Sequence, residues 1–276
     1  MSAALYLQRI GLDHAPRPGA QGLAALQYAH RCAIAFENLD IPLGRGIRID
    51  SSSVFEKIVM RGRGGYCFEQ NRLFADMLAQ MVQPNRPLLA RVLLGLEGED
   101  TPPRTHVLLL ANIDGQDWIA DVGFGGADLP PLPLTDGASG NTPDGSHHRL
   151  RHIGCPSGEW LLERAGPSAA TDGRARDDAD WQAQYSFDLA HVEQADLDQA
   201  NHWTATFPQS RFVLCPRLSI VLHGGFAAMA GTQLNLSDGS KVEKREIADI
   251  DEWRSVLADL FKLKLSAEEA GQLALF

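Results

Sequence analysis

The chain reads as an α+β protein in three stretches: a helical first part, a strand-rich middle that suggests an antiparallel sheet or barrel, and a closing part that mixes strands with a helix. Three observations predict this. Apolar residues recur at helical spacing as far as Met81, Pro84 and Pro87 then interrupt the pattern, and short apolar runs separated by turn residues follow. Boundaries at 1–86, 87–200 and 201–276 divide the 276 residues, enough for one large domain or for two to three small modules sharing cores.

Leu5, Leu7, Ile10 and Leu12 predict a first amphipathic helix, and Leu23, Leu26, Ala29, Ala33 and Phe36 a second. Ser53-Val-Phe-Glu56 has capping-box spacing, with Val54, Phe55, Ile58 and Val59 in the helix it would start. Beyond Gly64-Gly65-Tyr66, the residues Phe74, Met77, Leu78 and Met81 fall at i, i+3, i+4 and i+7. Cys67 lies seven residues before Phe74, so it begins that helix on its buried side. Strands are predicted over 88–96, 105–113 and 116–122, the last two forming a hairpin through Asp114-Gly115. Further strands are expected over 148–153, 160–164 and 184–189, with exposed loops over 135–146 and 166–180. Strands over 218–222, 232–236 and 241–246 and a helix over 250–262 complete the chain.

A formal net charge of -10 and a pI near 5.3 argue against a nucleic-acid or anionic-membrane surface, while leaving room for a local anion site. No apolar run approaches the ~20 residues of a membrane span. The first residues, MSAALYLQRIGLDH, do not form a signal peptide, so a cytoplasmic location is expected. Cys32, Cys67, Cys155 and Cys215 are too widely spaced for a compact disulfide framework, and no CxxC is present. Cys32, Cys155 and Cys215 read as structural. His147, His148, His152 and Cys155 fit no standard zinc spacing, so no metal is expected. His223-Gly224-Gly225 lacks the GxSxG of an esterase. Oligomeric state stays open, since no coiled coil or swapped arm is visible.

Cys67, His106 and Asp121 form the candidate chemistry. A helix N-terminus carries partial positive charge and free N–H groups that favour a thiolate. The glycines before Cys67 are expected to let the backbone turn sharply and to leave room for a ligand. His106 lies within the strand RTHVLLL and Asp121 at the end of WIADV, so the two can meet and face one helix end. That is the nucleophile–base–orienter arrangement of a cysteine triad. The following GFGG, Gly123 to Gly126, is either a tight turn or a bare-backbone ligand loop; it is not GxGxxG and opens no helix.

RGGYCFEQN (63–71), THVLLL and DVGFGG, in this order and spacing, resemble the arylamine N-acetyltransferase family. FENLDI (36–41) and, more loosely, TFPQSRFV (206–213) extend the likeness; Gln70 stands where relatives often carry another residue. The resemblance implies a helical bundle carrying Cys67, a β-barrel carrying His106 and Asp121, and an α/β lid. It also implies a catalytic core like that of transglutaminases and papain-like proteases. Acetyl-CoA would be the donor: Cys67 attacks the thioester, and the acetyl-Cys67 intermediate passes to an arylamine, arylhydrazine or N-hydroxyarylamine by double displacement. His106 would manage the proton, Asp121 would hold the imidazole, and the backbone N–H groups near Cys67 and Phe68 would meet the oxyanion. The likeness favours a ligand loop for Gly123, Phe124, Gly125 and Gly126, with N–H groups on CoA phosphates. Phe36, Phe124 and Phe207 are the implied aromatic wall, and a buried Arg63–Glu37 pair would brace the site. A cysteine hydrolase with the same Cys–His–Asp order, or a scaffold that binds without turnover, are the competing readings; acetyl-CoA dependence separates them.

Overall fold

The structure is a computed structural model that describes residues 1–81, 83–96, 101–155, 158–176, 180–239 and 241–275, the side chains of Cys155 and Gly158 excepted. The expected strand at 88–96 is found at Asn85–Val92 and that at 241–246 at Val242–Glu246, while the loop at 166–180 falls partly, and the Cys155 side chain wholly, outside the described residues.

The first part is helical. Helix α1 (Ala3–Arg9) starts at Ser2, whose hydroxyl accepts from the Leu5 amide, and α2 (Ala20–Ala33) follows. Strand β1 is only Phe36–Glu37. Helix α3 (Ser51–Phe55) runs on into a π-helical turn, Glu56–Met60, and α4 spans Cys67–Gln80. Asp50, not Ser53, caps α3: its carboxylate accepts from the Ser53 amide at 3.0 Å and from the Ser52 hydroxyl at 2.6 Å. A carboxylate at a helix start gains both the orphan N–H and the dipole, which displaces the shorter hydroxyl cap read from sequence. Tyr6, Leu23, Ile58, Phe74 and Met77 form the fully buried centre of this bundle.

The middle part is a nearly closed antiparallel barrel of eight strands. These are β2 (Asn85–Val92), β3 (Arg104–Ile113), β4 (Gln116–Ala120), β5 (Leu132–Pro133), β6 (Ser139–Asn141), β7 (His147–Cys155), β8 (Gly158–Ala165) and β9 (Gln182–Phe187). Their order is β5-β4-β3-β2-β9-β8-β7-β6. The β3–β4 hairpin turns at Asp114 (φ 52°) and Gly115 (φ 82°), the two positive φ values that a two-residue hairpin turn requires. Leu88, Leu108, Leu150, Leu162 and Tyr185 fill the interior.

Helices α5 (Gln194–Thr206) and α6 (Arg211–Leu214) lead into β10 (Arg217–Leu222), β11 (Gly225–Ala230), β12 (Gln233–Ser237) and β13 (Val242–Glu246). Helices α7 (Ile250–Asp259) and α8 (Ala267–Gln272) close the chain, and Trp253, Leu257, Phe261 and Leu263 pack with the inner face of this second sheet. Its order is β1-β10-β11-β12-β13, so a strand from the helical part forms its edge. The boundaries drawn from sequence fall inside elements: 86/87 lies within β2 and 200/201 within α5. Among the described residues no helix is long and apolar enough to cross a membrane.

Candidate active site

The two glycines before Cys67 serve close packing. A Cβ on Gly64 would stand 2.2 Å from the Ala35 carbonyl oxygen, and one on Gly65 would meet the Glu69 side chain at 2.9 Å. Neither has a positive φ. The room they leave is filled by protein, not ligand: Gly65 makes a parallel bridge to Phe36, with Glu37 N donating to Gly65 O at 3.1 Å. Gln70 completes this junction, its amide donating to Gly65 O at 2.7 Å and Ala35 O at 3.1 Å, while its oxygen meets His30 Nε2 at 3.2 Å.

Cys67 is the first residue of α4, and Glu69 reaches back so that Oε2 accepts from the Tyr66 amide at 3.1 Å. Beneath this start lies a buried charge cluster. Lys57 Nζ stands 2.7 Å from both Glu69 and Asp40, and Arg63 Nη2 stands 2.9 Å from Glu37 and 3.2 Å from Asp40. The pair expected between Arg63 and Glu37 is thus part of a five-residue network that fixes the helix entry.

His106 Nε2 lies 2.7 Å from Asp121 Oδ2, both side chains being buried. Asp121 Oδ1 accepts from Asn71 Nδ2 at 3.0 Å and from the Gly123 amide at 2.9 Å. Because Nε2 is engaged, Nδ1 is the ring nitrogen left to face a nucleophile. Cys67 and His106 line one cleft, and Cys67 Sγ approaches the Thr105 carbonyl, next to His106, at 3.7 Å. Phe124 and Tyr185 enclose the imidazole, with ring centroids 5.4 and 5.1 Å away.

Burial and neighbouring charge move Asp121 and Cys67 in opposite directions. Burial would raise the Asp121 carboxyl, but the His106 ring and the Asn71 amide outweigh it and hold the group below its ordinary range. Burial pushes the Cys67 thiol up, and the Asp121 charge adds to this; the backbone N–H groups of Val107 and Phe68 pull the other way.

The cleft has a volume of about 440 Å³ and holds Phe36, Phe124, Gly125 and Gly126 together with Cys67 and His106. Gly123 lines it too, but its N–H is committed to Asp121, so it is not free for a phosphate as the sequence reading had it. A Cβ on Gly123 would come within 2.7 Å of Cys67 Cα, and one on Gly125 within 2.8 Å of the Phe36 ring; these glycines let the loop lie against the start of α4 and against β1. Phe207 is not a wall residue. It stacks on Trp203 at 4.5 Å and leaves the lining to Trp203 and Phe212. Phe212 touches both Phe36 and Tyr66 at 5.8 Å.

Sequence reasoning missed Asn71, Arg31, Phe212 and Tyr185. Asn71 stands four residues after Cys67 on one helix face, a spacing that could have found it. Arg31 donates to Asp128 at 3.1 Å and to the Phe124 and Ala127 carbonyls at 3.1 and 2.5 Å, anchoring the loop after Asp121. Nothing in its local pattern marks it. His147, His148 and His152 do not converge: His148 is buried beside Thr142, His147 meets Asn141, and His152 lies on Trp160. Among the described residues no three of His, Cys, Asp and Glu gather as a metal site.

Known proteins place this geometry in a family. A family model described as N-acetyltransferase matches residues 20–270. The arylamine N-acetyltransferase of Escherichia coli (strain K12) is 35% identical over 272 residues, covering 96% of this chain and 90% of that protein. The arylamine N-acetyltransferase / N-hydroxyarylamine O-acetyltransferase of Salmonella typhimurium is 34% identical over the same shares. The solved structure of a Salmonella typhimurium arylamine N-acetyltransferase superposes with a TM-score of 0.87 at 33% identity, covering 99% of this chain and 98% of that one. That of the Mycobacterium marinum enzyme in complex with CoA does so with a TM-score of 0.85 at 30% identity, covering 99% and 97%. On a match of this extent, over the same helical, barrel and C-terminal parts, the chain belongs to the arylamine N-acetyltransferase family.

Proposed function

We propose that this chain transfers the acetyl group of acetyl-CoA to the amino group of arylamines through a thioester on Cys67. The observation that carries the reading is the His106–Asp121 pair at 2.7 Å in the cleft that also holds Cys67 at the start of α4. Family membership and the CoA complex of a relative support acetyl-CoA as donor.

Cys67 passes its proton to His106 Nδ1, and the thiolate attacks the acetyl carbon. The oxyanion is met by N–H groups at the start of α4, Phe68 among them. The bond to the CoA sulfur breaks, CoA takes the proton from His106, and acetyl-Cys67 remains. An amine then attacks that carbonyl and forms the C–N bond; its proton goes to His106 and the thiol is regenerated. Aromatic amines suit the second step because they stay unprotonated at neutral pH. Phe36, Phe124 and Phe212 provide apolar walls for them, with arylhydrazines and N-hydroxyarylamines as further acceptors. The free thiols of Cys32, Cys67 and Cys215 fit a reducing cytoplasmic setting.

The test is intact mass after incubation with acetyl-CoA alone, beside Cys67→Ala. We expect a gain of one acetyl group on the parent protein, absent from the variant and discharged by an arylamine or hydralazine. A folded, reduced protein that gains nothing at Cys67 overturns the reading.

A further inference from the structure

Three guanidinium groups and a single carboxylate gather on the wall of the cleft, and only two of the three bond that carboxylate. Asp172 accepts from Arg174 Nε at 2.8 and 3.0 Å and from Arg211 Nη2 at 3.0 Å. Arg217 Nε reaches only the Arg211 carbonyl, at 3.4 Å, and among the described residues no carboxylate lies within 4 Å of its guanidinium. All four residues line the same cleft as Cys67.

The cluster is half-buried, with side-chain exposure of 10% for Asp172, 25% for Arg174 and 28% for Arg211. It carries a net local charge of +2 in a chain whose net charge is -10. The buried charge cluster at the start of α4 shows no such excess, since Lys57 and Arg63 face Glu37, Asp40 and Glu69. Burial, and then the positive neighbours Arg211 and Arg217, lower Arg174 to about 10 in spite of Asp172. Confined like charges of this kind are stabilised when an anion enters, and the planar fork of arginine matches carboxylate and phosphate oxygens.

The cluster is also tied to the chemistry. The Asp172 amide donates to the Gly126 carbonyl at 2.9 Å, so the carboxylate hangs from the glycine loop that follows Asp121. Arg211 lies 5.7 Å over the Phe212 ring, and Phe212 touches Tyr66, the residue before Cys67.

We propose that Arg174, Arg211 and Arg217 form an anion subsite of the acyl-transfer cleft, taking either a phosphate group of the donor or a carboxylate on the aromatic acceptor. The assignment of those two sources rests on the acetyl-CoA reading above; the anion site itself does not.

Equilibrium binding decides it without turnover. Adenosine 3′,5′-bisphosphate is compared with adenosine, and 4-aminobenzoate with 4-aminobenzamide, on the parent protein and on Arg217→Gln, Arg211→Gln and Arg217→Lys. Loss of one charge-assisted contact predicts binding of one anion weakened about tenfold or more in the Gln variants, its neutral partner unaffected, and recovery in Arg217→Lys. Weakening of the bisphosphate alone assigns the site to the donor; weakening of the benzoate alone assigns it to the acceptor. Anions that bind the parent no better than their neutral partners, or variants that bind both alike, overturn the proposal. An absent acetyl gain on Cys67 separately reports failure of the acyl-transfer reading.

Discussion

Asn71 holds Asp121 from the same helix that presents Cys67: its Nδ2 lies 3.0 Å from Asp121 Oδ1 and 2.7 Å from the Val107 carbonyl, and its Oδ1 accepts from the Val122 amide at 3.1 Å. Helix α4 therefore sets both Cys67, the proposed nucleophile, and the Asp121 carboxylate beside His106. Asn71→Ala leaves three buried polar groups short of a partner and frees the carboxylate to tilt. We expect kcat to fall about 100-fold with acceptor KM little changed, the cost of misplacing a catalytic pair. Unfolding free energy should drop by about 1–3 kcal/mol. Steady-state kinetics and urea unfolding check this; parent-like kcat would show that Asp121 needs no such support.

Glu69 makes stability depend on pH. Burial holds its carboxyl up to about 7, with Lys57 opposing and Glu37 adding to the rise. The unfolded chain titrates near ~4.3, so the folded state binds this proton more tightly. Its contribution is therefore fully present below about pH 4.3 and is lost as pH rises through about 7. His30 and His148, both pushed to about 3 by burial, act oppositely, their contribution falling away as pH drops below the ordinary histidine range. The difference between parent and Glu69→Gln isolates Glu69. Urea midpoints taken across that window should decline more steeply with rising pH in the parent than in the variant; parallel curves would refute the assignment.

Phe212 and Phe207 separate wall from support. Phe212→Ala removes a ring that touches Phe36 and Tyr66, and we expect acceptor KM to rise about three- to tenfold, the worth of one aromatic contact. Phe207→Ala, away from the lining, should leave acceptor KM within about twofold. Kinetics across a series of arylamines would read both, and equal effects would return Phe207 to the wall.

Much of this was legible beforehand for identifiable reasons. Helix α4 showed through because Phe74, Met77 and Leu78 are large apolar residues at helical spacing, all fully buried. The β3–β4 hairpin showed because Asp-Gly at its turn accepts positive φ. Helix α5 was hidden, since its buried face is Leu197, Asn201 and Thr204, and two of these three are polar. Strand β11, GFAAMA, was hidden because glycine and alanine carry little strand signal; it is a central strand, paired with β10 and β12. Cys67, His106 and Asp121 stood out by residue type and order. Their supports did not: Asn71 had only its four-residue spacing from Cys67 to mark it, and Arg31 and Tyr185 act across long sequence separations that no local pattern records. The glycines before Cys67 were seen and misjudged, because close backbone approach and ligand room look alike until the neighbouring chain is placed.

The two residues of β1 impose an order of events on the chain. Phe36 pairs with Ser219 on one side and with Gly65 on the other, and Asn38 receives the Arg217 amide at 2.6 Å. The setting of Cys67 is thus completed by segments that leave the ribosome long after Cys67 itself. During synthesis the thiol is present while its surroundings are unfinished, and contacts so distant along the chain form slowly. A nascent chain stalled before β10 would lack the strand that Phe36 pairs with, so acyl transfer becomes a late property of this polypeptide, acquired only when its C-terminal sheet has docked.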